Sequence, residues 1–221
     1  MNTKQLLSHV DHTLLTPTAT TEDYIKICNE GMTYGVASLC IPPSRVELCA
    51  KHTAGRVKIC TVVGFPNGYT ETKAKAFESE TAIRRGASEI DMVIDIGKAK
   101  DHDYGAVLAD IKAIRAAAEG YILKVIIETA LLTQDEKIAL CQVVSESGAD
   151  YIKTSTGFAK GGATFEDVAL LRKYVSPAVK IKAAGGITTL EDAYRFIELG
   201  ADRLGTSRIV KLVQGMSGEG Y

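Results

Sequence analysis

Lys153 and Lys182 each end a run rich in β-branched residues, and each is followed at once by small ones: Thr154-Ser155-Thr156-Gly157 after the first, Ala183-Ala184-Gly185-Gly186 after the second. Small residues at the end of a strand clear space for a ligand. That sets these two amines apart from Lys58, Lys124 and Lys180, which lie inside strand-like runs and read as solvated side chains. Lys124 and Glu128, an even number of residues apart, share a strand face and could instead be interior. An ordinary lysine is a free amine only ~0.04% of the time at pH 7. Burial and a neighbouring like charge can lower its pKa to about 7–8. A lysine so tuned attacks a carbonyl to form a Schiff base, and the iminium is an electron sink for the adjacent carbon. Aldolases, transaldolases and some dehydratases depend on that intermediate.

The elements that must hold these amines show themselves as a recurrence. Gly86-Ala87-Ser88-Glu89-Ile90-Asp91, Gly148-Ala149-Asp150-Tyr151-Ile152-Lys153 and Gly200-Ala201-Asp202-Arg203-Leu204-Gly205 share one plan, and Gly35-Val36-Ala37-Ser38-Leu39-Cys40 is a looser copy. A glycine after a helical pattern takes the left-handed conformation that ends a helix, so each copy reads as helix, turn, strand. The glycines are 51, 62 and 52 residues apart, twice the length of a compact βα unit. The intervening strands are β-branched runs at Val57–Val63, Ile122–Glu128 and Val179–Lys182, and Val10–Leu14 brings the total to eight. Helix starts alternate with them: Thr133-x-x-Glu136 and Thr188-x-x-Glu191 have capping-box form, and Thr20-x-x-Asp23 is a weaker variant. Strict alternation predicts an α/β chain with a parallel sheet, and eight units favour a single (β/α)8 TIM barrel spanning residues 1–221. An open doubly wound sheet would want a GxGxxG turn after the first strand, where Asp11-His12-Thr13-Leu14-Leu15 stands.

In such a barrel the working face is the C-terminal end of the strands. Cys40, Asp91, Lys153 and Gly205 each fall five residues after a recurring glycine and so are expected at one interior level. A carboxylate and an amine would then face each other, with Lys182 as a second amine; Asp91 reads equally well as a structural ion-pair partner. Gly185-Gly186 and Gly205-Thr206-Ser207 follow the seventh and eighth strands, where barrels most often bind phosphate. Gly157 and Gly161-Gly162 widen the same mouth.

Bulk composition excludes other classes. Twenty-six basic against 27 acidic residues leave a net charge of −1, which gives no support to a nucleic-acid binder. A 46% hydrophobic content excludes disorder as the main state. The start of the chain has no apolar signal core, and no apolar run approaches a membrane span. Five scattered cysteines without a CxxC pair argue against a disulfide framework and a zinc site. The expectation is a cytoplasmic protein with no membrane partner.

Glu89-Ile90-Asp91-Met92-Val93, Lys124-Val125-Ile126-Ile127-Glu128-Thr129, Tyr151 to Gly157, Ile181 to Ile187 and Leu39-Cys40-Ile41-Pro42-Pro43 closely resemble the signature segments of the deoxyribose-phosphate aldolase family. The similarity runs from about Val10 to the last helix. It implies a class I aldolase on a TIM barrel, working without metal or organic cofactor. The reaction would be the reversible cleavage of 2-deoxy-D-ribose 5-phosphate to D-glyceraldehyde 3-phosphate and acetaldehyde. By motif position Lys153 would be the Schiff-base nucleophile, Lys182 the second lysine that tunes it, and Asp91 the acid/base carboxylate working through water. Asp11, Thr13 and Cys40 would line the substrate pocket, and Gly157, Gly185, Gly186, Gly205, Thr206 and Ser207 would hold the phosphate. Some members carry a lysine directly after the Thr-Gly of the sixth strand. Phe158 stands there in this chain, so Lys160 or Arg208 would help instead. The tail, residues 215–221, reads as a frayed end or, as in some members, as a flexible segment bringing the Tyr221 hydroxyl over the site to move a proton. Homo-oligomerisation is expected. Alternatives are another Schiff-base barrel aldolase, transaldolase-like or acting on keto acids, and a non-catalytic barrel that binds sugar phosphates.

Overall fold

All eight expected strands form: β1 (Val10–Thr13), β2 (Ser38–Ile41), β3 (Lys58–Val63), β4 (Glu89–Val93), β5 (Ile122–Ile126), β6 (Tyr151–Lys153), β7 (Lys180–Ala184) and β8 (Arg203–Thr206). In the computed structural model, which describes residues 1–215, neighbouring strands pair in parallel in sequence order and β8 pairs with β1, closing a barrel. Tyr221 and the rest of the expected tail beyond Gly215 lie outside the described residues.

Ten helices alternate with the strands among the described residues: α1 (Thr3–Leu7), α2 (Thr21–Tyr34), α3 (Val46–Thr53), α4 (Thr72–Arg84), α5 (Ile96–Lys100), α6 (Tyr104–Ala117), α7 (Gln134–Glu146), α8 (Phe165–Tyr174), α9 (Leu190–Glu198) and α10 (Ile209–Val213). None is long and apolar enough to cross a membrane. The capping boxes expected at Thr20/Asp23 and Thr133/Glu136 start α2 and α7. The third sits one residue further on than expected. Thr189 caps α9 with Asp192, because the Asp192 carboxylate collects the N–H groups of Thr188 and Thr189 and the Thr188 hydroxyl together. Gly86 shows why a recurring glycine is needed: its φ is +109°, and a Cβ there would lie 2.6 Å from the Ala50 Cβ.

Side chains alternate between the two faces of each strand, and in a closed barrel alternate strands contribute to one interior tier. The register stacks three such tiers. The lowest holds Ser38, Glu89, Tyr151 and Arg203 from the even strands; the next holds Asp11, Cys60, Lys124 and Lys182 from the odd strands. Above them come Cys40, Asp91, Lys153 and Gly205, the four residues of the recurrence, on one level. The interior is thus mostly polar. The large apolar core lies outside the barrel wall, where Leu39, Ile90, Leu123, Ile152, Ile181 and Leu204 pack under the helices with Ile111, Ile114, Leu140 and Leu171. A small second apolar cluster, Leu15, Cys40, Cys60 and Val62 with Phe65, fills the β2–β3 side of the upper barrel.

Candidate active site

Asp91 is the hub of the interior. Its Oδ2 accepts from Lys153 Nζ at 2.8 Å and from Lys182 Nζ at 2.7 Å. Its Oδ1 accepts from Lys124 Nζ at 2.8 Å and from the Cys60 thiol at 3.1 Å. Lys124, read as solvated with an interior place left open, takes the interior place: it is fully buried and also contacts Glu89 at 2.6 Å. Its interior position follows from the register, which pairs it with Asp91 across β4 and β5. Lys58 and Lys180 do face solvent.

Asp11 organises the level below. It takes Ser38 Oγ at 2.7 Å and Arg203 Nη1 at 2.6 Å on Oδ1, and the Lys182 ammonium on Oδ2. Arg203 also reaches Glu89 at 3.2 Å and lies over the Tyr151 ring. Burial alone would raise the Asp91 pKa, but the ammonium groups of Lys124, Lys153 and Lys182 outweigh it and hold the carboxyl well below the usual range. Asp11 is likewise held low, with Lys182, Lys124 and Arg203 overcoming burial. For Lys182 burial pulls downward, yet Asp11 and Asp91 prevail and push its pKa above that of an ordinary lysine. Lys182 is therefore a fixed cation that contacts the same carboxylate oxygen as Lys153. A hydrogen bond with the Cys60 thiol, opposed by burial and aided by Lys182, draws the Cys40 thiol down to about 7.

Above this network a cavity of ≈ 290 Å³ opens at the C-terminal ends of β6, β7, β8 and β1. Thr13, Gly157, Gly185, Gly186, Gly205, Thr206 and Ser207 line it, as do Lys160 and Arg208. Of the interior amines only Lys153 reaches its wall; Lys182, Lys124 and Asp91 lie beneath. Asp11 and Cys40 are also beneath it, fully buried. The loops around the cavity meet backbone to backbone: a Cβ on Gly162 would stand 2.5 Å from Gly185 C and 2.7 Å from Gly186 N. Gly205 has a second consequence, since a Cβ there would lie 3.0 Å from Lys182 Cε; the missing side chain leaves room for that amine. Phe158 stands outside the cavity, its ring edge-on to Phe65 at 5.2 Å. The donor atoms of Cys40, Cys60 and Asp91 converge within 4.8 Å, the spacing of a metal site. The Lys124 ammonium lies against two of these, 2.8 Å from Asp91 and 3.2 Å from Cys60. It contacts all three members of a second such group, Asp11, Cys60 and Glu89, at 3.7, 3.2 and 2.6 Å, so a metal ion there would have to displace it.

Glu89, Cys60, Tyr151 and Arg203 were not singled out from the sequence. Parity was the available signal. Glu89, Tyr151 and Arg203 each precede a residue of the recurrence by two, and so share its strand face.

The geometry describes a buried amine at the floor of a pocket, backed by a carboxylate and a second, cationic amine and roofed by glycine-rich loops. Known proteins resemble this chain along nearly its whole length. The sequence matches the model of the DeoC/LacD family aldolases over residues 6–217. It is 55% identical over 219 residues to a deoxyribose-phosphate aldolase of Streptococcus agalactiae, covering 99% of this chain and 98% of that one. A deoxyribose-phosphate aldolase of Streptococcus pyogenes is 56% identical, with 97% and 96% covered. Among solved structures, the tetrameric deoxyribose phosphate aldolase of Aeropyrum pernix superposes with a TM-score of 0.89 at 32% identity, covering 97% of this chain and 92% of that one. A family match over nearly the whole length, relatives above 50% identity and the same barrel lead to one conclusion: the chain belongs to the DeoC/LacD family of aldolases.

Proposed function

We propose that this aldolase reversibly cleaves 2-deoxy-D-ribose 5-phosphate to D-glyceraldehyde 3-phosphate and acetaldehyde through a Schiff base on Lys153. The observation that carries the assignment is that Lys153, alone of the interior amines, both lines the cavity and contacts Asp91. As a free amine, Lys153 adds to the C1 aldehyde of the open-chain sugar, and loss of water gives the iminium. Removal of the C3 hydroxyl proton then lets the C2–C3 bond break, its electrons moving toward the iminium. Glyceraldehyde 3-phosphate departs and an enamine remains. Protonation at C2 and hydrolysis release acetaldehyde and restore the amine. Asp91, with a water, is the proton carrier, because its carboxylate is the group in contact with Lys153 and Lys182 together.

Four interior cations, Lys124, Lys153, Lys182 and Arg203, face three carboxylates, Asp11, Glu89 and Asp91. The cluster carries a formal charge of +1, discharged when one ammonium gives up a proton. The phosphate is assigned to the other end of the cavity. There Gly157, Gly185, Gly186, Gly205, Thr206 and Ser207 line the wall together with Lys160 and Arg208. Support for a homo-oligomer comes from the tetrameric relative and from Tyr69 and Phe77, large side chains left 72% and 65% exposed. Five free, buried thiols suit a reducing cytoplasm.

Borohydride reduction in the presence of acetaldehyde, followed by peptide mapping, tests the assignment. The adduct is expected on Lys153 and is expected to vanish in Lys153→Ala; an adduct elsewhere, or none in the wild type, would sink it. Coupled detection of glyceraldehyde 3-phosphate from deoxyribose 5-phosphate tests the substrate.

A further inference from the structure

The barrel's regular pairing breaks at one place that the proposed reaction does not use. Beyond the end of β5, Ile127 N donates to Lys153 O at 3.1 Å, and Thr129 N donates to Thr154 O at 2.9 Å. Two residues advance on one side for one on the other, so Glu128 is an extra residue, a bulge at the rim of the barrel. Such bulges re-aim a side chain. The Glu128 backbone is left-handed, with φ 56° and ψ 65°, a region unfavourable to any residue with a Cβ. Ala54 and His102 also have positive φ, but both follow the last turn of a helix, α3 and α5, where a left-handed residue closes the helix. Glu128 closes no helix.

The bulge turns the Glu128 carboxylate onto the segment after β6. Its Oε2 accepts from Thr156 N at 3.1 Å and from the Thr156 hydroxyl. The Thr156 Oγ1 in turn accepts from Phe158 N at 3.0 Å. The carboxylate is buried, and its Oε1 meets no donor in the structure. Backbone strain and a bare buried oxygen thus fall on one residue, and glycine at 128 would remove both while leaving the bulge intact. What glycine would not supply is the grip on Thr156. Thr156 and Gly157 line the cavity beside Lys153.

We propose that Glu128 is a positioning residue for phosphate binding, an inference that rests on the sugar-phosphate assignment above. Through Thr156 it holds the backbone of residues 156–158 in the shape against which the phosphate rests. It touches none of the reacting atoms.

Glu128→Gly separates the carboxylate from the backbone conformation, since glycine adopts this φ without strain. E128G is expected to fold, as read by circular dichroism. Its KM for 2-deoxyribose 5-phosphate should rise about tenfold, the loss of roughly one strong hydrogen bond. Its kcat/KM for unphosphorylated 2-deoxyribose and its trapping by acetaldehyde and borohydride should match the wild type. Calorimetric titration with inorganic phosphate should show a Kd raised by a similar factor. Glu128→Gln still accepts from Thr156 N and should restore most of the affinity. Equal losses on both sugars, or an unchanged phosphate Kd in E128G, would overturn the role. Should E128G not fold, Thr156→Val removes the relaying hydroxyl, and an unchanged phosphate Kd there overturns it equally. A wild type that binds phosphate but does not turn over the sugar phosphate defeats the proposed activity, while the phosphate titration still judges Glu128 on its own.

Discussion

At the scale of single residues, the interior charges act as one group. Lys182 is held protonated by Asp11 and Asp91 and shares an oxygen of Asp91 with Lys153, so it places a fixed like charge beside the proposed nucleophile. Lys182→Leu removes that charge and takes the cluster from +1 to formal neutrality. An ammonium is then harder to deprotonate, and the pH optimum for cleavage should move upward by about a unit or more. An initial-rate pH profile identical to the wild type's would refute the electrostatic role. The sequence made Lys153, Lys182 and Asp91 legible because each stands in a recurring or glycine-flanked setting, although only Lys153 ends its strand while Asp91 and Lys182 lie at the middle of β4 and β7. Lys124 was harder to read. It lies in mid-strand, where a lysine usually reaches solvent along its own stem, and only pairing with β4 and β6 reveals that its strand face is interior. Parity within one strand states which residues share a face; it does not state which face is inside.

At the scale of elements, the helix ends were legible and the loops were not. Capping boxes and left-handed glycines are local devices, readable over four or five residues. The one that slipped, at α9, did so because Thr188 and Thr189 both reach Asp192, so two adjacent residues competed for the same role. The bulge at Glu128 left no local mark, since Ile122 to Glu128 reads as an uninterrupted strand; the extra residue appears only against the partner strand. The packing of the loops after β6 and β7 is similarly non-local. Gly162→Ala places a Cβ against the backbone of Gly185 and Gly186, which cannot yield as a side chain would. The KM for the sugar phosphate should therefore rise several-fold, while the urea midpoint moves little, because residues 157–163 are all partly or fully exposed and bury little core. A large fall in the midpoint with an unchanged KM would show that the contact serves stability rather than the site.

At the scale of the whole molecule, eight repeated units were countable from the sequence, and the closed barrel follows from that count and from the β8–β1 pairing. A charged centre ties stability to pH at both ends. The carboxyls of Asp11 and Asp91 are depressed in the folded state, so their contribution is complete above about pH 4, the unfolded value. It is lost as the pH falls from there toward their folded values. Lys182 has the opposite sign: its folded pKa is raised, so its contribution is complete below about pH 10 and is lost as the pH climbs through the folded value. Urea midpoints followed by circular dichroism should form a plateau between these limits and fall on either side. A midpoint that keeps rising from pH 7 down to pH 3 would contradict the ion network. The lattice of four cations and three carboxylates also bears on how such a chain can change over generations. Each of the three carboxylates meets at least two of the four cations, so loss of one cation, as in Lys182→Leu, strands no carboxylate. Loss of Asp91, by contrast, takes from Lys153 the carboxylate it contacts and removes a shared partner of Lys124 and Lys182, a penalty of several kcal/mol for a buried group. The lattice is thus unequal under change: single cations can be lost at a graded cost, while the shared carboxylate at its hub is the position least free to drift.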